Sequence, residues 1–211
     1  MTPPMAAAVL VAAPAGGLRS APPGVDPGEW WRALVGDTLD VVAALSAVRP
    51  TVAVAAAVGA DDVRALTWPG TPLVLLPEEA ASGGAVVATL DALAGLGFAL
   101  AVVLAADLPD LPGLLVGKLF SALEDAPVSV SPARGGGLCG LGARLPAPTW
   151  LRDARADLDA PDALDRLHDA APVKGVVVGP GWHRLREPTD IRHLDANLEG
   201  WDAVRALLSA P

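Results

Sequence analysis

The chain is poor in cysteine and lysine and lacks long apolar runs, and each scarcity excludes a class of protein. Its one cysteine, Cys139, can form neither a disulfide framework nor a thiolate zinc cluster within the chain, which favours a cytoplasmic protein. Hydrophobic residues make up 52% of the sequence, but no uninterrupted run approaches the roughly 18 to 20 residues of a membrane span. The apolar residues near the amino terminus lack the basic flank of a signal peptide, so we interpret residues 6–12 as a strand.

Basic residues are scarce as well. The 211 residues include 15 Lys and Arg against 24 Asp and Glu, a formal net charge of −9, and the only lysines are Lys118 and Lys174. Because such an acidic chain repels phosphate backbones, we expect no nucleic-acid partner. A phosphate site would have to be local, built from a few arginines, backbone N–H groups or a metal ion.

What the chain does contain is a regular alternation of strand-like and helix-like segments. Short apolar runs predict strands at residues 6–12, 51–58, 73–76, 100–105, 128–131, 138–143 and 173–178. Apolar residues at helical spacing predict helices at residues 29–48, 83–96, 112–124, 161–168 and from residue 188 onward. This rhythm predicts an α/β fold, a three-layer α/β/α arrangement with a mixed, mostly parallel sheet. At this length we expect one domain over residues 1–211.

The sequence LAVVLAADLPDLP at residues 100–112 joins a buried strand to an acidic residue, Asp107. A carboxylate at the carboxyl end of such a strand lies where open α/β sheets bind their ligands. Asp107 is therefore the candidate ligand for Mg²⁺ or Mn²⁺, which bridges nucleotide phosphates with one or two protein carboxylates. We expect Asp110 to cap the following helix or to be solvated, rather than to bind metal.

A glycine-containing loop, PAGGLRSAPP at residues 14–23, follows the first strand. In that position Pro14, Gly16, Gly17 and Arg19 would form a phosphate-binding loop, with backbone N–H groups turned toward the anion. The loop matches neither the dinucleotide fingerprint nor the Walker sequence, so a simple strand-to-helix connection remains an equal alternative.

Three further groups of residues are candidates for binding or catalysis. Ser82 and Gly83 precede a predicted helix, either as its cap or as a loop that contacts the nucleotide base. The run Gly135, Gly136 and Gly137 would let an acceptor approach the backbone, although a tight turn uses the same residues. His183 is the best general-base candidate of the three histidines. The chain has no GxSxG elbow and no HxxxH or HExxH spacing, and we interpret Cys139 as a core residue.

Taken in order, these segments resemble the small bacterial GT-A-like transferases of the DUF2064 family, described as glycosyltransferases associated with radical SAM proteins. The family belongs with the nucleotide-diphospho-sugar transferases, and the similarity covers nearly the whole chain. The similar segments are VLVAAPAGGLR at residues 9–19, GDTLDVV at 36–42, ADLPDLP at 106–112, ARGGGLCGLGARLPAPTW at 133–150 and GWHRLREPTDIRHL at 181–194.

This chain also departs from the family pattern. Its first loop has Ala12 and Leu18 where the family has lysine and arginine, and Arg19 is out of step by one residue. Arg184 and Arg186 stand where the family has two aspartates, one of which the resemblance implies as the second metal ligand. These arginines would either neutralise phosphate directly, as guanidinium groups do, or mark a site whose catalysis has decayed.

The sequence thus predicts a nucleotide-dependent glycosyl- or nucleotidyltransferase, with reduced or lost catalysis, that acts on a nucleotide or nucleotide sugar and a small acceptor. One alternative is a catalytically inactive GT-A-like binding module. Another is a guanylyltransferase of the kind that acts in deazaflavin cofactor synthesis. The sequence leaves open the donor base, the acceptor and the oligomeric state.

Overall fold

The computed structural model describes residues 4–11, 21–55, 59–78, 80 and 84–209. The strands in these residues are β1 (Met5–Val11), β2 (Val48–Val54), β3 (Leu73–Leu75), β4 (Leu100–Ala105), β5 (Val128–Pro132), β6 (Leu138–Arg144) and β7 (Val176–Val178). The helices are α1 (Pro27–Ala43), α2 (Ala60–Arg64), α3 (Ala85–Gly95), α4 (Gly113–Ala122), α5 (Trp150–Ala154), α6 (Ala163–Ala170) and α7 (Asp202–Ser209), with a 3₁₀ helix at Pro188–His193.

The seven strands of the described residues form one mixed sheet in the order β3-β2-β1-β4-β6-β5-β7. Strands β3, β2, β1 and β4 run parallel to one another, and β7 runs parallel to β5. Strand β6 lies antiparallel between β4 and β5. The sheet confirms the predicted α/β class and its mixed, mostly parallel character.

The strand order places helices on both faces of the sheet. The chain moves outward from β1 through β2 to β3 and then returns to the other side of β1 to form β4. Because such crossovers are right-handed, the outward helix α1 and the returning helix α3 pack on opposite faces. Residues 6–11 of β1 are accordingly all buried, and the buried residues of β4 match the apolar run of the sequence.

The strand order reverses where β1 and β4 are neighbours. Leu10 of β1 pairs with Ala105 at the end of β4, so both strands terminate at the same edge. Open α/β sheets bind ligands beyond the carboxyl ends of strands at such a point. Since β6 is antiparallel, its first residue, Leu138, also lies near this edge, where it contributes to the candidate site.

Several element boundaries differ from the prediction. Helix α1 ends at Ala43, five residues before its predicted end, and Val48 already begins β2. Helix α2 was not predicted. Strand β7 starts only at Val176, after a turn in which the Gly175 N–H donates to the Pro172 carbonyl. The last predicted helix is two separate elements, the 3₁₀ helix and α7.

A second apolar cluster attaches the C-terminal part of the described chain to α1. Its buried members are Trp30, Ala33, Leu34, Leu185, Trp201 and Val204. The buried carboxylate of Asp37 on α1 accepts hydrogen bonds from the backbone N–H groups of Ala203 and Val204 at 3.1 and 2.8 Å, which caps α7. Burial raises the pKa of Asp37, against the effect of these two hydrogen bonds.

Among the helices of the described residues, none has the length and apolar character to cross a membrane.

Candidate functional site

Asp107 lies beyond the carboxyl end of β4 and makes an ion pair with Arg184. Nε of Arg184 is 2.6 Å from Oδ1 of Asp107, and Nη2 is 3.0 Å from Oδ2. The carboxylate is 20% exposed and the guanidinium only 7%. This two-pronged geometry uses both oxygens of the carboxylate and is the strongest arrangement of the two groups.

The remaining N–H groups of Arg184 are occupied as well. Nη2 also lies 2.7 Å from Oδ1 of Asp159. Nη1 donates to the backbone carbonyls of Leu138 at 3.1 Å and Leu158 at 3.0 Å. Burial acts to lower the pKa of Arg184, but the carboxylates of Asp107 and Asp159 outweigh it and raise the pKa above its ordinary value. The guanidinium thus makes four hydrogen bonds to protein oxygens, and a fifth oxygen, Oδ1 of Asp159, lies within ion-pair distance.

The backbone around Asp107 is fixed from two sides. The hydroxyl of Thr38, on α1, accepts a hydrogen bond from the Leu108 N–H at 3.1 Å and lies 3.1 Å from the Ala106 carbonyl. On the other side, the Leu185 N–H donates to the Asp107 carbonyl at 3.0 Å. The last contact connects the strand end directly to the segment that carries Arg184.

Arg186 is less completely paired than Arg184. Nη1 donates to the Gly136 carbonyl at 2.9 Å, and Nη2 lies 3.5 Å from the Leu158 carbonyl. Nε is buried and has no hydrogen-bond partner among the described residues. Burial, and next the positive charge of Arg184, lower the pKa of Arg186. Arg186 is thus a partly buried cation with unused donors, a setting that an added anion would stabilise.

The three consecutive glycines form the turn between β5 and β6. Gly135, Gly136 and Gly137 have φ angles of +85°, +105° and +74°, in the region that favours glycine. A Cβ added to Gly137 would lie 2.5 Å from the Leu158 carbonyl oxygen and 2.8 Å from Nη2 of Arg186. Backbone geometry and packing against residues 158–161 therefore require glycine here. Acceptor binding by this turn stays a prediction.

Asp110 and His183 belong to a buried polar cluster next to the Asp107 pair. The Trp182 indole N–H donates to Oδ1 of Asp110 at 3.2 Å, and Nε2 of His183 lies 3.0 Å from the same oxygen without an aligned hydrogen bond. The His183 ring stacks on that of Trp182 and lies 5.8 Å from that of His193, centroid to centroid. The expectation that Asp110 caps a helix or is solvated is wrong. Its side chain is fully buried, and α4 begins without a side-chain cap.

Six of the predicted site residues lie outside the described part of the chain: Pro14, Gly16, Gly17, Arg19, Ser82 and Gly83. Their assignment to nucleotide binding stays a prediction. What the structure does describe is the position of Val11, the residue before the first of these loops. It ends β1 beside β4, at the edge where Asp107 lies.

A divalent metal does not fit the residues around Asp107. Both Asp107 oxygens are engaged by Arg184, and a metal ion placed against that guanidinium would meet a like charge. No group of three His, Cys, Asp or Glu side chains in the described ranges is arranged to hold a metal ion. Cys139 is buried, and its burial raises the pKa of the thiol to about 11, which is unfavourable for a nucleophile or metal ligand.

Two residues of this site, Thr38 and Asp159, have no role that the sequence predicts. Thr38 lies in the GDTL motif, which was noted only as a family similarity. Asp159 comes from the irregular stretch after β6, and its partner Arg184 is distant in sequence. No local pattern could indicate Asp159 or the burial of Asp110, because their partners come from other parts of the chain.

The fold is similar to that of solved structures described as nucleotide-dependent transferases. A protein from Desulfovibrio desulfuricans G20, provisionally assigned as a nucleotide-diphospho-sugar transferase, has a TM-score of 0.71 at 16% identity, with 98% of this chain and 97% of that chain covered. The 4-diphosphocytidyl-2C-methyl-D-erythritol synthase of Anaerococcus prevotii has a TM-score of 0.56 at 11% identity, with 97% and 95% covered. At these identities the likeness shows the fold alone.

A third similar structure contains a metal and ligands. Glucosyl-3-phosphoglycerate synthase from Mycobacterium tuberculosis, in complex with Mn²⁺, UDP and phosphoglyceric acid, has a TM-score of 0.56 at 12% identity. The match covers 86% of this chain and 69% of that chain. Proteins with this fold thus include one that holds a divalent metal together with a nucleotide.

The family is given by the sequence itself. Residues 38–156, more than half of the chain, match the family model DUF2064, described as an uncharacterized protein conserved in bacteria. The chain belongs to this family, which confirms the resemblance inferred from its motifs. A comparison with curated proteins gives no match.

Proposed function

We propose that the protein binds a nucleotide or nucleotide sugar at the edge formed by the carboxyl ends of β1 and β4. In this proposal it is a nucleotide-dependent transferase of a glycosyl or nucleotidyl group to a small acceptor, with reduced or lost catalysis. The observation that carries the proposal is the position of the Asp107 and Arg184 pair at the point where the strand order reverses. The fold shared with nucleotide-sugar and nucleotidyl transferases supports it.

The residues near this edge have separate roles in the proposal. Arg186 would contribute positive charge to the phosphates, because it retains unused donors and Arg184 does not. His183 would accept the proton of an acceptor hydroxyl, with its ring stacked on Trp182 and its Nε2 3.0 Å from Asp110. The sequence predicts that the phosphates bind to Pro14, Gly16, Gly17 and Arg19. It predicts that the base contacts Ser82 and Gly83, and that the acceptor contacts Gly135, Gly136 and Gly137.

The electrostatics of Arg186 favour an anionic ligand. Its buried Nε lacks a partner, and Arg184 adds a like charge nearby. A phosphate beside the Arg186 side chain would offset this repulsion, so the free energy of binding includes relief of an unfavourable interaction. This part of the site requires no metal. With a single cysteine in the chain, we also propose that the protein acts in the cytoplasm.

Nucleotide binding can be measured by thermal stabilisation with UDP, GDP, CTP and UDP-glucose, each in buffer with EDTA. A ligand at a concentration of 100 Kd stabilises the folded protein by about 2.7 kcal/mol, which gives a clear shift in Tm. We expect at least one nucleotide to stabilise the wild type and the Arg186→Gln variant to lose most of that shift. The control is Arg152→Gln, which removes an exposed arginine that pairs with Asp91.

Transfer is tested separately, by following release of the nucleotide from a bound nucleotide sugar with ³¹P NMR. If a nucleotide stabilises the wild type but both arginine variants lose the shift in Tm equally, the placement of the phosphates at Arg186 is contradicted. Stabilisation by GDP alone would favour the guanylyltransferase alternative.

A second candidate is a catalytically inactive binding module. The observation that favours it is the complete occupation of Asp107 by Arg184, which removes the carboxylate from metal-assisted chemistry. The two candidates give different results in the same experiments. A module that binds a protein partner would show no shift with any nucleotide, and a module that binds a nucleotide would show a shift without turnover.

A further inference from the structure

Arg184 lies inside a cage of protein oxygen atoms. The five oxygens are Oδ1 and Oδ2 of Asp107, Oδ1 of Asp159 and the backbone carbonyls of Leu138 and Leu158, all between 2.6 and 3.1 Å from a guanidinium nitrogen. They belong to four residues in three separate segments of the chain, since Leu158 and Asp159 are neighbours. Four of the oxygens accept hydrogen bonds from the guanidinium, and the fifth, Oδ1 of Asp159, is at ion-pair distance from Nη2.

The composition of the cage is that of a divalent-cation site. Carboxylate and backbone carbonyl oxygens are the ligands that hard cations such as Mg²⁺, Mn²⁺ and Ca²⁺ prefer. Two carboxylates supply two negative charges, and the guanidinium supplies one positive charge in return. A positive group is therefore required at this position, and the chain supplies it as a side chain.

The two carboxylates keep this buried cation charged. The guanidinium is 7% exposed and its pKa is raised by the two carboxylates despite its burial, so it stays charged at every pH at which the protein is folded. The Leu185 N–H, which donates to the Asp107 carbonyl, fixes the segment next to Arg184 against the strand end. A metal ion in solution would have to displace a group that is covalently attached and makes four hydrogen bonds to the cage.

We propose that Arg184 is a built-in counter-cation of Asp107 and Asp159 that takes the place of a divalent metal ion at this site. The wild-type protein then binds no divalent metal at Asp107. Removing the Arg184 side chain leaves five oxygens with two negative charges and creates a metal site. The proposal concerns the cation at Asp107 and stands whether or not a nucleotide binds nearby.

The test is a titration with Mn²⁺ alone, without nucleotide, followed by the EPR signal of free Mn²⁺. We expect no Mn²⁺ at Asp107 in the wild type and about one bound Mn²⁺ per chain in Arg184→Ala, since an opened oxygen cage suits one hard cation. The double variant Arg184→Ala, Asp107→Asn should lose the gained site. The matched control is Arg186→Ala, whose side chain donates only to carbonyls and whose removal should create no site.

Two results would overturn the proposal. One is a wild-type protein that binds Mn²⁺ in a site abolished by Asp107→Asn, since Asp107 would then be a metal ligand despite Arg184. The other is a folded Arg184→Ala variant that gains no Mn²⁺, since the cage would then be no cation site. If Arg184→Ala does not fold in metal-free buffer, the wild type and Asp107→Asn decide alone. A wild type without Mn²⁺, or with binding that Asp107→Asn leaves unchanged, supports the proposal.

Discussion

At the scale of single residues, Thr38 connects a helix to the strand end that carries Asp107. Its hydroxyl accepts from the Leu108 N–H and can donate to either the Leu34 or the Ala106 carbonyl, at 2.8 and 3.1 Å. The residue is fully buried, so these groups have no water to replace a lost partner. Thr38 is therefore a positioning residue for Asp107 and does not itself touch a ligand.

We expect Thr38→Val to lower the free energy of unfolding by about 1–3 kcal/mol, because the buried Leu108 N–H loses its acceptor. Urea denaturation measures this change. Thr38→Ser is the matched control, since it keeps the hydroxyl and removes only a methyl group. The positioning role predicts a second effect, which is weaker Mn²⁺ binding when Thr38→Val is added to Arg184→Ala. Equal stability of the Val and Ser variants would contradict the role of the hydroxyl.

The same residues show how far the sequence predicts a site. The position of Asp107 after a buried strand follows from a local pattern, an apolar run closed by proline, and the structure has the residue there. The partner of Asp107 lies 77 residues away, and nothing local indicates that pairing. Asp110 shows the opposite case. Its local pattern suggested a cap, but a tryptophan and a histidine at residues 182 and 183 bury it.

At the scale of elements, the turn between β5 and β6 connects the sheet to the Arg184 cage. Gly137 immediately precedes Leu138, whose carbonyl is one of the five cage oxygens. Gly137 also packs closely against the Leu158 carbonyl, which is another of the cage oxygens, and against Arg186. A change in this turn should therefore alter both stability and the geometry around Arg184.

We expect Gly137→Ala to destabilise the protein by clearly more than Gly135→Ala. Both positions have positive φ, so both substitutions carry a backbone cost of roughly 1 kcal/mol or more. Only at Gly137 does the new Cβ also meet backbone, at 2.5 Å, while at Gly135 nothing lies within 4 Å. The difference in unfolding free energy between the variants, from urea denaturation, isolates the close approach. Equal losses would show that the turn adjusts freely.

At the scale of the whole molecule, the alternation of strands and helices was enough to predict a mostly parallel α/β sheet. The strand at residues 138–143 is predicted, but its antiparallel direction is not, because an apolar run has the same pattern in either direction. The strand order was not predicted either, since it is decided by which edges the helices cover. The boundaries of α1 and β2 were misplaced because the apolar spacing continues past the helix end at Ala43 as far as Val48.

Net charge is a property of the whole molecule that affects the proposed ligand. The chain carries a formal charge of −9, and the buried charge of Arg184 is balanced by two carboxylates, so the long-range field repels a nucleotide. Screening shortens this field, because the Debye length falls from about 30 Å at 0.01 M salt to about 8 Å at 0.15 M.

If the protein binds UDP as proposed, its association rate should rise across that range of salt concentration, which stopped-flow fluorescence can measure. Uridine, which has no phosphate, is the control and should show no such dependence. If the association rate falls with salt for UDP alone, local arginines outweigh the acidic surface at long range. That result would contradict the view that two carboxylates offset the charge of Arg184 at this edge.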